Sequence, residues 1–447
     1  MRTSMRDFLR ASVEDAELVE RTIYEDPTAD GAADAHADLL EEAKAVDAAT
    51  DAVDNLDEKA CAMESLVLTL EEILDAAPES EEDAGLDTPA IALVEQQVES
   101  TADALGVDDP EAVVEEVVPA AESFRTNRRA ATVSLENGVV DFLKKIWNAI
   151  KNAIIAAWEA IVSFFQRLFG GVKSLIKRAD ALKKRANDLK EEGGGKDIKY
   201  KGVRYLLMGK EAFSASVLEK GLNNSLEVGN AIFTSYATYV KNVYKGSAEN
   251  LKAALKDLGD TGKFSNRTFK ASRDEEINES YISKKIADGH LLSGIIDIDL
   301  PGEVHFEVPN SNEYNKGIEV MVPQLVHQTT HGTIDPKTEI KTLTKSECIA
   351  ALSKVKSILE LMDKKGKTVD EMNKAAAEYR GANDDMIKRL DANAAVVAWE
   401  RVKFQKLMRM GGKPWGAPVV KYSAHMFGVC RHAMGLVDAS ITESAKK

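Results

Sequence analysis

Cysteine is scarce. Cys61, Cys348 and Cys430 are the three in 447 residues, odd in number, scattered and without a CxxC pair. A disulfide framework is thereby excluded, and synthesis in a reducing cytoplasm fits better. The opening MRTSMRDFLRASVEDAE has early arginines but no apolar run behind them, so it is not a secretory signal. Enzymatic signatures are missing as well: there is no GxSxG, HExxH, Walker A loop or GxGxxG, and RMGGKPWG lacks the rest of a phosphate loop. His327 and His331 have the i,i+4 spacing of a helical metal pair, yet HQTTHGTIDP reads as turn and strand. Asp297 and Asp299 alternate on a predicted strand and mark its solvent face. No enzyme, metal or cofactor is expected.

A long uncharged apolar run is also absent. Within 139–169, Lys151, Glu159 and Arg167 divide the sequence so that no uncharged stretch exceeds seven residues. A spanning helix needs about 20 apolar residues, and a charge at mid-bilayer costs about 2.5–3.5 kcal/mol. A single span is disfavoured. An interfacial helix or a buried one remains.

What the chain does have is charge, unevenly placed. Residues 1–136 hold 36 Asp and Glu against 9 Lys and Arg, a net of −27; residues 137–447 hold 38 against 49, a net of +11. The overall −16 averages an acidic front with a mildly basic remainder able to accept a polyanion.

The periodicity predicts a mainly helical α+β chain of two to four domains. His36 to Leu74 and Ile91 to Leu105 read as helices, separated by the acidic, proline-containing AAPESEEDAGLDTP; residues 108–136 read as loosely ordered. From Val139 a broad apolar face follows, and Gly170-Gly171 ends or kinks the helix before a second one that stops at Gly193-Gly194-Gly195, giving a basic amphipathic hairpin. KDIKYKGVRYLLM predicts a strand and turn, Lys210 to Tyr244 a long helix, and 294–326 two or three short strands. Helix returns with a Ser346 cap, and GKPWGAP breaks it before a last helix, HMFGVCRHAMGLVDASI. The expected divisions are 1–136, 137–195, 196–345 and 346–447.

Between 139 and 190 the chain holds 11 basic and 4 acidic residues. Its candidate contacts to DNA or to an anionic membrane are Lys144, Lys145, Trp147, Lys151, Trp158, Lys173, Lys177, Arg178, Lys183, Lys184 and Arg185. A membrane contact would use 139–169.

An acidic front, a Ser-x-Glu junction, a basic Trp-containing helix and the ending KPWGAPVVKYSAHMFGVCRHAMGLVDASI together resemble the internal head proteins of large tailed bacteriophages. The resemblance is general over residues 130–447. It implies a propeptide that directs the chain among other core proteins of the prohead, made in the bacterial cytoplasm. A prohead protease would cut it after a small-x-Glu tripeptide, and the mature protein would stay inside the capsid with packaged DNA, with delivery into the host at infection. The matching residues are Ser134, Leu135 and Glu136, with the cut before Asn137. Other tripeptides of this type occur, including Ser12-Val13-Glu14, Ala157-Trp158-Glu159, Ala376-Ala377-Glu378 and Ala398-Trp399-Glu400. Position 136 is favoured because 125–136 reads as polar and helix-poor, and because the charge balance turns there. Two rival readings are a membrane-perturbing effector masked by its acidic domain, and an uncleaved capsid or scaffold component.

Overall fold

A computed structural model describes residues 43–70, 86–261, 297–307, 324–327, 339–392 and 414–446, apart from isolated positions within those ranges. It is mainly helical with a small antiparallel β portion, as the periodicity predicts. In the acidic front, α1 (43–56) buries Ala43, Val46, Val53 and Leu56 along one side. Three further helices follow: α2 (Thr88–Ala104), α3 (Pro110–Val117) and α4 (Ala121–Thr126).

Then comes α5 (Arg128–Asn187), 60 residues without a break. At 1.5 Å per residue it is about 90 Å long. Asn127 opens it, its side chain accepting from the Ala130 amide at 3.0 Å, and Lys184 and Arg185 lie in the last turn where the helix dipole favours cations. The expected hairpin is therefore not formed. Gly170 and Gly171 stay helical because packing supplies what propensity withholds: a Cβ at Gly171 would lie 3.0 Å from the Phe427 ring, while one at Gly170 would meet nothing within 4 Å. Gly171 admits a neighbouring helix, and Gly170 faces solvent. Gly170→Ala is accordingly expected to raise the melting temperature, through about 1 kcal/mol of helix propensity. Gly171→Ala is expected to lower it, because overpacking against the Phe427 ring, about 1–3 kcal/mol, outweighs the same gain in propensity. Parallel thermal scans of the two variants check the opposite signs.

The helix ends at Asn187, six residues short of the expected glycine stop, and Gly193, Gly194 and Gly195 turn the connection to the next strand with φ of 58°, 90° and 74°. Beyond it, β1 (Asp197–Lys199) pairs antiparallel with β5 (Glu339–Lys341), Ile198 opposite Ile340. A 3-10 turn (Lys201–Leu206) leads to α6 (Ala215–Asn230), a π-helical segment (Ala231–Tyr236) and α7 (Ala237–Thr261). The strands β2 (Asp297–Leu300), β3 (Val304–Glu307) and β4 (Gln324–His327) form an antiparallel sheet in that order, with Phe306 between Ile298 and Leu325. Two helices complete the body, α8 (Lys345–Ala392) and α9 (Ala417–Ala445). The cap of α8 is Thr344 rather than Ser346: its hydroxyl accepts from the Glu347 amide while Glu347 accepts from the Thr344 amide, a reciprocal capping box.

The helix α8 packs on α5, α6, α7 and α9 and so holds the body together. At its heart aromatic rings join the long helices. Trp158 of α5 meets Tyr244 of α7 edge-on at 4.9 Å, and Tyr244 lies 6.2 Å from Tyr379 of α8. Their polar ends are satisfied: Tyr236 donates to the Trp415 carbonyl at 2.9 Å, Tyr244 Oη accepts from the Trp415 amide at 3.1 Å, and Tyr422 donates to the Ser225 carbonyl. Cys348 of α8 and Cys430 of α9 are free and buried. Burial pushes the Cys348 thiol up to about 12, with Glu347 adding to the shift, and moves Cys430 higher still above its ordinary value.

Candidate functional site

The tripeptide Ser134-Leu135-Glu136 and Asn137 lie in α5, within its first three turns. Ser134 and Asn137 are exposed, Glu136 is half-buried and Leu135 is wholly buried. The expectation that 125–136 lacks helix therefore fails, as does the looseness expected of 108–120. Polarity was a misleading signal here because the polar residues are caps and solvent faces of short helices. Asp109 Oδ1 accepts from the Ala112 amide at 3.1 Å ahead of Pro110, and Val113, Val117, Phe124 and Leu135 are buried. At Gly138 a Cβ would overlap the Val117 carbonyl oxygen, so α3 rests directly on the backbone of α5 one residue past the proposed cut. Ser134, Asn137 and Gly138 are weak helix formers. A protease opening α5 would meet the least local resistance among them.

The basic residues of α5 divide into two groups. In its first half, Lys144 pairs with Asp141 at 2.5 Å, Lys145 with Glu116 at 2.9 Å and Lys151 with Asp384 at 2.5 Å. Trp147 and Trp158, expected to touch DNA or membrane, are 5% and 2% exposed and belong to the core. The apolar periodicity of a core helix and of an interfacial helix is the same, and the facing helices decide between them. By length and composition alone α5 could cross a membrane, with an 18-residue window of mean hydropathy 1.3, 39% of which is buried inside the protein. In its last turns the pattern changes. Lys173, Lys177 and Lys184 are exposed along one ridge, while Lys183 turns inward to donate to Ser353 Oγ at 2.9 Å. Arg178 and Arg185, two turns apart, both reach Asp438 of α9, at 3.9 and 2.6 Å.

Two arginines that the sequence did not mark adjoin this end. Arg204, in the 3-10 turn, has Cζ 4.7 Å from the Tyr205 ring centroid and donates to Tyr205 Oη at 2.6 Å. Tyr205 in turn stacks on His432 of α9, centroids 4.1 Å apart and planes within 7°. The Tyr200 hydroxyl donates to the His432 carbonyl at 2.7 Å, and its phenol feels the charges of Arg431 and Arg178. These residues are distant from α5 in sequence, so no local pattern could have grouped them with its basic end.

The acidic front touches the basic body through ion pairs of its own. Besides Glu116 with Lys145, Asp47 of α1 places Oδ1 2.8 Å from Lys421 Nζ of α9. Burial holds the Asp47 carboxyl above its ordinary value, outweighing the attraction of Lys421. A carboxyl raised in the folded state contributes most when protonated, and that contribution is lost as pH rises through the raised value. Asp47→Asn is therefore expected to leave the melting temperature at pH 7 unchanged or higher. It should also remove the part of the pH dependence that this carboxyl contributes, a gain in stability as pH falls through its raised value. Thermal scans across a pH series check both.

Among the described residues no group of three or more His, Cys, Asp or Glu side chains is placed to hold a metal ion. His327 ends β4 and His331 lies outside the described residues; Asp297 and Asp299 belong to β2, Asp299 exposed.

A family model of phiKZ-like phage internal head proteins matches residues 33–439. The chain belongs to this family. No curated protein and no solved structure matches it significantly. As a phage internal head protein it is a structural component located inside the head. The matched range includes Glu136 and the acidic front from residue 33.

Proposed function

We propose that this internal head protein enters the prohead as an uncut chain, loses residues 1–136 to a prohead protease, and remains in the capsid with the packaged DNA. The reversal of charge at residue 136, from −27 before it to +11 after it, carries this reading. The structure supports it with contacts between the two parts: Glu116 neutralises Lys145 and Asp47 faces Lys421, so the front shields body cations while it is attached. During assembly the shielded chain avoids nucleic acid and its acidic surface is free to meet basic core partners. After the cut, the basic remainder binds duplex through phosphate neutralisation without reading bases. Because the scissile segment is helical, cutting requires α5 to open locally around Ser134 to Gly138. Intact-mass measurement of the chain from purified mature heads tests the proposal. A species beginning at Asn137 is expected; a chain still beginning at Met1 overturns it and favours an uncleaved structural component.

A further inference from the structure

We infer that the packaged duplex lies with its phosphate backbone on the surface where the end of α5, the 3-10 turn and the middle of α9 meet, held by Lys177, Arg178, Lys184, Arg185, Arg204 and Arg431. The inference rests on the reading that the body is retained with DNA, and it names the contact.

Three elements bring guanidinium groups together here. Arg178 and Arg185 come from α5, Arg204 from the 3-10 turn and Arg431 from α9. Asp438 joins the two α5 arginines, which fixes their orientation and leaves the remaining donors of each fork for another acceptor. Arg204 is positioned by its neighbour: the guanidinium lies over Tyr205 and bonds its hydroxyl, and Tyr205 is itself stacked on His432. The Tyr200 hydroxyl on the His432 carbonyl ties the same turn to α9. Gly435 makes that approach possible, since a Cβ there would lie 2.5 Å from Tyr200 Oη. Beside this cluster the exposed Lys177 and Lys184, two turns apart on α5, extend the positive surface along the helix.

The chemistry selects a phosphate backbone. Arginine forks held in fixed positions match phosphate oxygens, and exposed lysines add point charges at little geometric cost. The Tyr205 ring is engaged by His432 and by Arg204, so it organises a cation and does not serve as a platform for unstacked bases. Among the described residues the exposed large hydrophobics are Leu93, Val107 and Val133, none of them among the cations, whereas a lipid surface would call for an apolar wedge there. The expected mode is sequence-independent neutralisation of a duplex.

Ultraviolet crosslinking of intact particles, followed by mass spectrometry of nucleotide adducts, tests the site in the protein as it occurs. Adducts are expected on the peptides carrying the contact cations Lys177, Lys184 and Arg204. Adducts confined to other parts of this chain would overturn the site and leave DNA retention standing. Crosslinks to other head proteins but none to this chain would overturn both. A second measurement uses the chain as it is extracted from heads and the dependence of duplex affinity on salt. Lys177→Gln with Lys184→Gln is expected to make the slope of log K against log salt shallower by about 1.8, two contacts at about 0.9 each. Lys374→Gln with Lys388→Gln, exposed on α8, removes the same charge and is expected to leave the slope unchanged. Equal slopes for the two double variants would overturn the assignment, as would tighter binding to phosphatidylglycerol vesicles than to duplex at equal phosphate concentration.

Discussion

Trp158→Ala is expected to destabilise the protein by about 3–5 kcal/mol, the range for removing a large aromatic from a packed core. The side chain is 2% exposed and stands edge-on against Tyr244, whose own hydroxyl anchors the Trp415 backbone at the break before α9. Its loss would open a cavity where α5, α7 and α8 converge, and the hydroxyl network around it would lose its wall. Trp158→Phe keeps most of the volume and is expected to cost a fraction of this. Denaturant midpoints followed by circular dichroism measure the difference. The experiment also separates two roles for the aromatic face of α5. A tryptophan serving as a DNA or membrane contact would leave the midpoint where it was on removal, whereas a core residue shifts it strongly.

Gly138→Ala is expected to loosen the acidic front by about 1–3 kcal/mol, because the new methyl group would collide with the Val117 carbonyl. That obstacle is backbone and cannot rotate away as a side chain could. The substitution also gains about 1 kcal/mol of helix propensity within α5, which offsets part of the effect. The net result should be faster hydrogen exchange over 110–126 and a faster appearance of the 137–447 fragment when the full chain meets the head protease. Asn137→Ala provides the opposing case. Its side chain is exposed and lies outside the small-x-Glu tripeptide, so the gain in helix propensity should stiffen the helix and slow cutting. If both variants were cut at the wild-type rate, opening of α5 would not limit the reaction.

Much of the architecture was legible from residue spacing. The helix around 88–104, the strands near 297–300 and 304–307 and the break ahead of α9 all follow from period, turn residues and caps. Two features were not legible, for one physical reason. Whether Gly170-Gly171 interrupts a helix depends on what lies opposite, and Phe427 is more than two hundred residues away in the chain. Whether Asn127 and Asp109 mark loops or caps depends on whether the following apolar residues find a surface to bury, and they do. The candidate contacts divide in the same way. The sequence located the basic end of α5, where Lys177, Arg178, Lys184 and Arg185 stand, but it grouped with them two tryptophans whose partners are internal. It passed over Arg204 and Arg431, which only the fold brings alongside.

The two thiols enclosed in α8 and α9 matter once a phage has left its host. A particle adrift in aerated water has no reductase to repair it, and oxidation of sulfur proceeds mainly through the thiolate. With acidities this weak and solvent shut out, Cys348 and Cys430 offer almost no thiolate to peroxide or to one another's copies. A protein housed inside the head is thereby spared crosslinking through these positions for as long as the particle waits.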